Sequence, residues 1–264
     1  MKPAPFKYHR PASIDEALRL LSEHGDEAKI LAGGQSLVPL MNFRLVRPLH
    51  VIDINRLPDL AHVIHASGEL RFGALARWTQ VQFSPAVVAG WPLLAQAIKR
   101  VGHPQIRNRG TLCGSAAHAD PAAELPSVLV ALQATLVMVS SRGQRTLPAA
   151  DFFQGIFTTA LRPDELLAEI VVPEAGAGQP IGFAEFARRS GDFALAGAVR
   201  AGGRLVAFGA GDRPVVLPSP DLDGGDRLLE AVSALEISDD IHGGAPWRRE
   251  IVLEMARRAW NEAV

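Results

Sequence analysis

The feature that most constrains this chain is a pair of adjacent glycines directly after a short apolar run. Residues 29–31 read Lys-Ile-Leu and are followed by Ala32-Gly33-Gly34-Gln35-Ser36. Because they lack Cβ atoms, Gly33 and Gly34 can take a positive φ and let a bulky anion touch main-chain N–H groups. Ser36 is placed to cap the next helix, whose N-terminal amides favour a phosphate. The pattern predicts a strand, a tight anion-holding loop and a short helix.

A second stretch of small residues lies further along the chain, at Thr111-Leu112-Cys113-Gly114-Ser115. It predicts another tight turn, flanked by hydroxyl groups. Two such loops can hold the two phosphates of a dinucleotide from opposite sides. Neither loop has the Rossmann or phosphate-loop glycine spacing. For each loop, an ordinary structural turn is therefore the alternative interpretation.

The residues around both loops carry a family resemblance. The first loop continues into Pro39-Leu40-Met41 and later Val51-Ile52-Asp53-Ile54. The second is preceded by Ile106-Arg107-Asn108-Arg109-Gly110 and followed by His118-Ala119-Asp120-Pro121, and residues 186–194 read FARRSGDFA. Together these stretches resemble the FAD-binding medium subunit of the molybdenum hydroxylases, the group that contains xanthine dehydrogenase and aerobic carbon monoxide dehydrogenase. The resemblance weakens after about residue 211.

The resemblance implies a set of cofactor-binding residues. It places the FAD pyrophosphate against both loops, Glu124 or Asp120 against sugar hydroxyls, and Phe193 near the flavin ring. The full predicted set is Ile30, Leu31, Ala32, Gly33, Gly34, Gln35, Ser36, Leu37, Thr111, Leu112, Cys113, Gly114, Ser115, His118, Asp120, Glu124 and Phe193. Structural alternatives stay open, since acidic residues favour the first turn of any helix. His118 also suits a structural loop position, and Phe193 suits a core position.

Four residues in or near these stretches have an open role. Arg107 and Arg109 can neutralise phosphate charge, or they can anchor the second loop to carboxylates of a neighbouring unit. Glu185 stands where many relatives have a lysine, which affects the charge expected near the flavin ring. Cys113 replaces a glycine that is common in the family, so its side chain is expected to narrow the space around the phosphates.

The alternation of elements predicts an α+β fold in three units. These are a small α/β subdomain at 1–58, a larger antiparallel α+β subdomain at 59–173, and a C-terminal α+β domain of sheet covered by helices at 181–264. Residues 174–180 read as a flexible linker. Predicted helices cover 13–24, 37–43, 79–83, 93–101, 122–132, 227–235 and 247–262. Predicted strands cover 28–32, 50–54, 62–65, 70–73, 135–140, 145–147, 165–172, 182–188 and 197–209.

Composition excludes several classes of protein. The 264 residues carry a formal net charge of −1, which gives no indication of a nucleic-acid partner. The apolar runs are too short to span a membrane, and the N-terminus lacks a signal-peptide core, so a cytoplasmic protein is expected. The single cysteine excludes an internal disulfide framework and a thiolate-rich metal site. No catalytic nucleophile and no metal ligand set stand out from the sequence.

The resemblance implies a flavoprotein electron-transfer subunit. Its FAD would take electrons from a small [2Fe-2S] iron–sulfur subunit and pass them to a terminal acceptor such as NAD, oxygen or a quinone. Substrate oxidation would occur on a large molybdopterin-cofactor subunit, in a dimer of heterotrimers. Two alternatives stay open: a stand-alone flavin-dependent oxidase or dehydrogenase, and a non-redox nucleotide-binding or assembly protein.

Overall fold

Three main sheets follow one another along the chain, with helices between and around them. The computed structural model describes residues 2–174, 178–220 and 226–261. The fold is mixed, with parallel pairing in the first sheet and antiparallel pairing in the other two. Among the described residues, no helix is both long enough and apolar enough to cross a membrane.

The first sheet has three parallel strands in the order β1-β3-β2. Helix α1 begins after Ser13, whose hydroxyl accepts a hydrogen bond from the Glu16 N–H at 3.2 Å. It ends at Gly25, where φ is +48°, so the predicted start and stop signals are confirmed. The elements are β1 (Lys7–His9), α1 (Ile14–His24), β2 (Ala28–Leu31), α2 (Leu37–Asn42) and β3 (His50–Asp53).

The second sheet has five antiparallel strands in the order β4-β5-β10-β6-β7, and a two-stranded ribbon of β8 and β9 lies beside it. Six helices separate β5 from β6. The elements up to that point are β4 (Val63–Ala66), β5 (Glu69–Gly73), α3 (Trp78–Gln82), α4 (Pro85–Gly90), α5 (Pro92–Ile98), α6 (Pro104–Arg109), α7 (Leu112–His118) and α8 (Glu124–Ala131). The remainder are β6 (Thr135–Ser140), β7 (Gly143–Pro148), α9 (Ala149–Phe152), β8 (Phe153–Gly155), β9 (Thr158–Thr159) and β10 (Leu166–Pro173).

The third sheet has four antiparallel strands in sequential order. Helix α11 packs on one face of this sheet, and α8 contacts strands β12 and β13. The buried Ser127 hydroxyl on α8 donates to the Ala207 carbonyl at 3.1 Å. The elements are β11 (Ile181–Phe186), β12 (Ala196–Ala201), β13 (Arg204–Phe208), β14 (Val215–Leu217), α10 (Asp226–Ser233) and α11 (Ala245–Asn261).

The predicted sheet-and-helix plan is confirmed, but the prediction for the region between α3 and α8 is wrong in detail. Helices α4 and α6 were not predicted, and residues 112–118 form helix α7 instead of a turn. The region predicted as strand over 197–209 is a hairpin of two strands.

The three sheets lie at 7–53, 63–173 and 181–217. The division into units at 58/59 and 173/181 stays a prediction. Linker residues 175–177 and residues 262–264, including the predicted helix end at Glu262, lie outside the described residues.

A glycine on β11 sets how closely the last helix approaches the third sheet. A Cβ atom on Gly182 would lie 1.8 Å from the backbone oxygen of Ala259 in α11. Such a contact is with backbone, so it cannot be relieved by a side-chain rotation. The buried Ala184, Ala198 and Ala256 belong to the same apolar cluster between this sheet and its helices.

Gly182→Ala should therefore destabilise the protein by about 3 kcal/mol, because the added methyl group forces α11 away from β11. The free energy of unfolding, measured by urea titration, tests this expectation. Gly203→Ala in the β12–β13 turn is the matched control, since a Cβ there has no atom within 4 Å. Equal stability of the two variants would contradict the close approach.

Candidate functional site

The first glycine loop leaves β2 at the carboxyl edge of the parallel sheet. Gly34 has φ +72°, a left-handed conformation that favours glycine, whereas Gly33 has no positive φ. The Gln35 side-chain amide donates to the Gly33 carbonyl at 3.2 Å. Ser36 precedes α2, but its side chain makes no capping hydrogen bond, so its predicted capping role is wrong.

A row of unpaired donors runs through this loop. Within the described part of the chain, the backbone amides of residues 33–37 have no hydrogen-bond acceptor, and most of these residues are only partly buried. Successive main-chain N–H groups in such a turn form a concavity that suits an anion. The donors that this loop offers are therefore main-chain N–H groups and not the Ser36 hydroxyl, and its role in holding an anion stays a prediction.

The second predicted loop is a helix start. Thr111 is the N-cap of α7, and its hydroxyl accepts the Gly114 N–H at 3.0 Å. A Cβ on Gly114 would lie 2.7 Å from that hydroxyl oxygen, so glycine preserves the cap. Cys113 points away from the loop, with its Sγ 3.6 Å from the Phe72 carbonyl in the core. The expectation that Cys113 narrows the phosphate space is therefore wrong, and burial raises the pKa of its thiol.

The two glycine segments touch each other. A Cβ on Gly33 would lie 2.5 Å from the Arg109 carbonyl oxygen and 2.7 Å from the Gly110 Cα. The peptide at 109–110, which immediately precedes the Thr111 cap, therefore lies against the first loop. Gly33 is required for this close approach, and not for a positive φ.

A polar network that sequence reasoning missed joins the same two segments. The Asn55 side-chain amide donates to the Ala32 carbonyl at 2.8 Å, and its oxygen accepts from Arg77. The Arg77 guanidinium also donates to the Arg109 carbonyl. Asn55 follows β3, at the same carboxyl edge of the sheet as the first loop. A polar residue directly after the predicted strand at 50–54 was the sequence signal that could have identified Asn55.

Asp53, at the end of β3, holds Asn55 in place. Its carboxylate accepts from the Asn55 N–H at 2.9 Å and from the Asn55 side-chain amide at 2.7 Å, and it also accepts from the Tyr8 hydroxyl. Burial opposes ionisation of Asp53, but the hydrogen bonds from Tyr8 and Asn55 outweigh it and lower its pKa. Asp53 is therefore an ionised anchor for the network.

Two buried carboxyl groups lie beyond helix α7. Glu124 begins α8 and is 4% exposed, and burial raises its pKa to about 7 with further contributions from Glu185 and Asp120. Glu185 on β11 has one carboxyl oxygen 3.6 Å from Arg100, while its other oxygen is buried without a partner among the described residues. Burial raises the pKa of Glu185 as well. The partnerless Glu185 oxygen needs a hydrogen-bond donor.

The remaining predicted residues have varied surroundings. The Asp120 carboxylate accepts from the Ala122 N–H at 2.9 Å. The His118 ring stacks on Phe157 with centroids 4.9 Å apart, which fits the structural interpretation, and burial lowers its pKa. Phe193 is 61% exposed, so the interpretation of it as a core residue is wrong.

The hydrogen bonds found for Arg107 and Arg109, just before the second segment, are to uncharged groups. The Arg107 guanidinium donates to the Gln82 side chain and to the carbonyls of Val101 and Gly102, at 3.0–3.1 Å. Arg107 is thus an anchor, although its partners are not the carboxylates that were expected. Arg109 contributes its carbonyl to the Arg77 network.

Comparison with known proteins identifies the class. Residues 4–175 match the family described as the FAD binding domain in molybdopterin dehydrogenase. The chain belongs to this family.

Individual relatives match over the whole chain. The 6-hydroxypseudooxynicotine dehydrogenase complex subunit alpha of Paenarthrobacter nicotinovorans is 38% identical, across 100% of this chain and 96% of the relative. The nicotine 6-hydroxylase medium subunit of the same organism is 40% identical, across 100% and 99%. A structure of carbon monoxide dehydrogenase from Hydrogenophaga pseudoflava is similar with a TM-score of 0.91 and 34% identity, across 100% of both chains. The protein is an FAD-binding medium subunit of a molybdenum hydroxylase complex, an oxidoreductase.

Gly33→Ala should weaken FAD binding at least about tenfold, because the methyl group pushes the first loop away from the 109–110 peptide. The FAD dissociation constant and the melting temperature of the variant check this. Gly90→Ala is the matched control, since a Cβ there meets no atom within 4 Å. Unchanged FAD affinity in Gly33→Ala would show that the junction does not shape the site.

Glu124 should give the FAD-free protein a distinctive pH dependence. The folded chain keeps the Glu124 proton at pH values where the unfolded chain has lost it, so the free energy of unfolding falls as pH rises from about 4.5 to about 7. Glu124→Gln removes this effect. Between about pH 5 and pH 8 the unmodified protein should lose about 2 kcal/mol more than the variant in urea titrations. Parallel pH profiles would contradict a raised pKa.

Proposed function

We propose that residues 33–37 and the Thr111–Ser115 segment hold the FAD pyrophosphate, and that Glu124 holds hydroxyl groups of the cofactor. The observation that carries this proposal is the row of unpaired amides at 33–37, packed against the peptide that precedes the Thr111 cap. Because these donors are main-chain N–H groups, they can bind a diphosphate without any side chain having to move. The buried carboxyl group of Glu124 fits a partner that donates hydrogen bonds, as sugar hydroxyls do.

Bound FAD supplies the redox chemistry, while this chain supplies position and electrostatics. The Asn55–Arg77 network keeps the two segments together, and Asp53 fixes Asn55. Phe193, exposed in the loop before β12, is the residue we assign to contact with the flavin ring. The partly exposed residues 34–37 leave the first loop open to the cofactor.

Within the complex, we propose that electrons pass from a small [2Fe-2S] subunit through FAD to a terminal acceptor. A large molybdopterin-cofactor subunit would oxidise the substrate, and the assembly would be a dimer of heterotrimers. The chain itself has one cysteine, and that cysteine is buried in the core, whereas [2Fe-2S] clusters take four protein ligands. We place the complex in the cytoplasm, where cysteines stay reduced.

Anaerobic mixing of the FAD-loaded chain with its proposed small iron–sulfur partner, in the reduced state, should bleach the flavin absorption. We expect this because, in the proposed route, FAD accepts the electrons that leave the iron–sulfur cluster. FAD, and not FMN, should appear in the supernatant after acid precipitation. Native mass spectrometry of the co-expressed subunits reads out the proposed stoichiometry.

The FAD-free chain is the control for the mixing experiment and should leave the iron–sulfur spectrum unchanged. Absence of flavin bleaching in the loaded chain would overturn the electron route. Substrate oxidation by this polypeptide alone would instead support a stand-alone flavin enzyme.

A further inference from the structure

Three of the eight histidines meet at one place in the first sheet. His9 ends β1, His24 ends α1, and His50 begins β3. Because Lys7 lies opposite His50 in the parallel register, His9, two residues further on, projects from the same face as His50. Helix α1 packs against β3, and its last turn brings His24 to the same cluster.

The ring nitrogens of this histidine cluster lie close together. His9 Nε2 is 2.8 Å from His50 Nδ1, and one nitrogen from each ring lies within 4.8 Å of the others. The rings of His24 and His50 stack with centroids 3.6 Å apart. In a tetrahedral zinc site, ligand nitrogens are about 3.4 Å apart, which is close to the separations in this cluster. The stacked rings of His24 and His50 must rotate away from each other for both nitrogens to face one ion.

The other five histidines lie elsewhere in the chain and have different partners, so the cluster is not a general gathering of histidines. His62 pairs with Glu169, and His118 stacks on Phe157. Each of the remaining three also contacts a different part of the chain: His65 packs on Trp91, His103 lies beside Gly191, and His242 contacts Arg188.

The surroundings of the histidine cluster favour a cation. The cluster lies at the C-terminal end of an eleven-residue helix, where the helix dipole favours positive charge. A Glu23 carboxyl oxygen lies 3.9 Å from His24 Nε2 and adds a nearby negative charge, whereas Lys7 on β1 adds a positive one. Neutral imidazole nitrogens are good ligands for zinc, copper and nickel ions.

We propose that His9, His24 and His50 bind one divalent transition-metal ion of the zinc, nickel or copper class, with a fourth position for water. This function is independent of the proposed FAD site. The ion would tie β1 and the end of α1 to β3, and so brace the sheet whose opposite edge carries the first glycine loop.

The first experiment is equilibrium dialysis of the FAD-loaded, tag-free chain against Zn²⁺, with elemental analysis. The unmodified protein should take up one Zn²⁺ per chain, and its melting temperature should rise when Zn²⁺ is added, because the ion binds the folded state. His24→Gln should weaken Zn²⁺ binding at least about tenfold and abolish the rise, since one of three ligands is lost. His65→Gln, an exposed histidine outside the cluster, is the matched control and should behave like the unmodified protein.

A second readout does not depend on any substitution. Cu²⁺ added to the unmodified protein should give an electron paramagnetic resonance spectrum with splitting from imidazole nitrogens. The proposal fails if the unmodified protein takes up no stoichiometric Zn²⁺, or if Cu²⁺ shows only the spectrum of the aqueous ion. It also fails if His24→Gln binds Zn²⁺ as tightly as His65→Gln, in which case the histidines only pack against one another.

Discussion

The contact between Gly33 and the peptide at 109–110 is the constraint on which the rest of the site depends. It joins the end of a parallel strand to the start of helix α7, two segments that are far apart in sequence. A side chain at Gly33 would separate them. Asn55 and Arg77 hold the same junction by hydrogen bonds to carbonyls on both sides, so backbone packing and polar contacts act together.

This junction leaves the amides of the first loop free to act as donors. A folded protein pairs most of its buried polar groups, so a run of unpaired N–H groups beside a tight junction is informative. The same reasoning applies to Glu185, whose buried carboxyl oxygen lacks a partner among the described residues. Burial also keeps Glu124 protonated at higher pH than an exposed glutamate. Donors in the first loop and the buried carboxyl groups of Glu124 and Glu185 suit a ligand that carries both phosphates and hydroxyls.

The predicted set of site residues stays a prediction, but the structure corrects the roles expected of three of them. Ser36, Gly114 and Cys113 were expected to line a phosphate, but Ser36 makes no cap, Gly114 preserves the Thr111 cap, and the Cys113 thiol faces the core. The sequence shows residue types in order, whereas the direction of each side chain depends on the strand or helix that packs beside it. Asn55 and Arg77 were missed for the same reason.

The sequence by itself determined the local elements. Ser13 and Gly25 define helix α1, the apolar run before Gly33 defines β2, and the glycine–hydroxyl stretches mark both segments of the candidate site. These signals depend only on residues that are close together in sequence, so they can be recognised without knowing the tertiary structure. Only the tertiary structure decided that the two segments touch, that residues 112–118 continue as a helix, and that three histidines meet under α1. Those outcomes depend on contacts between residues distant in sequence, whose free energy exists only once the sheets have packed.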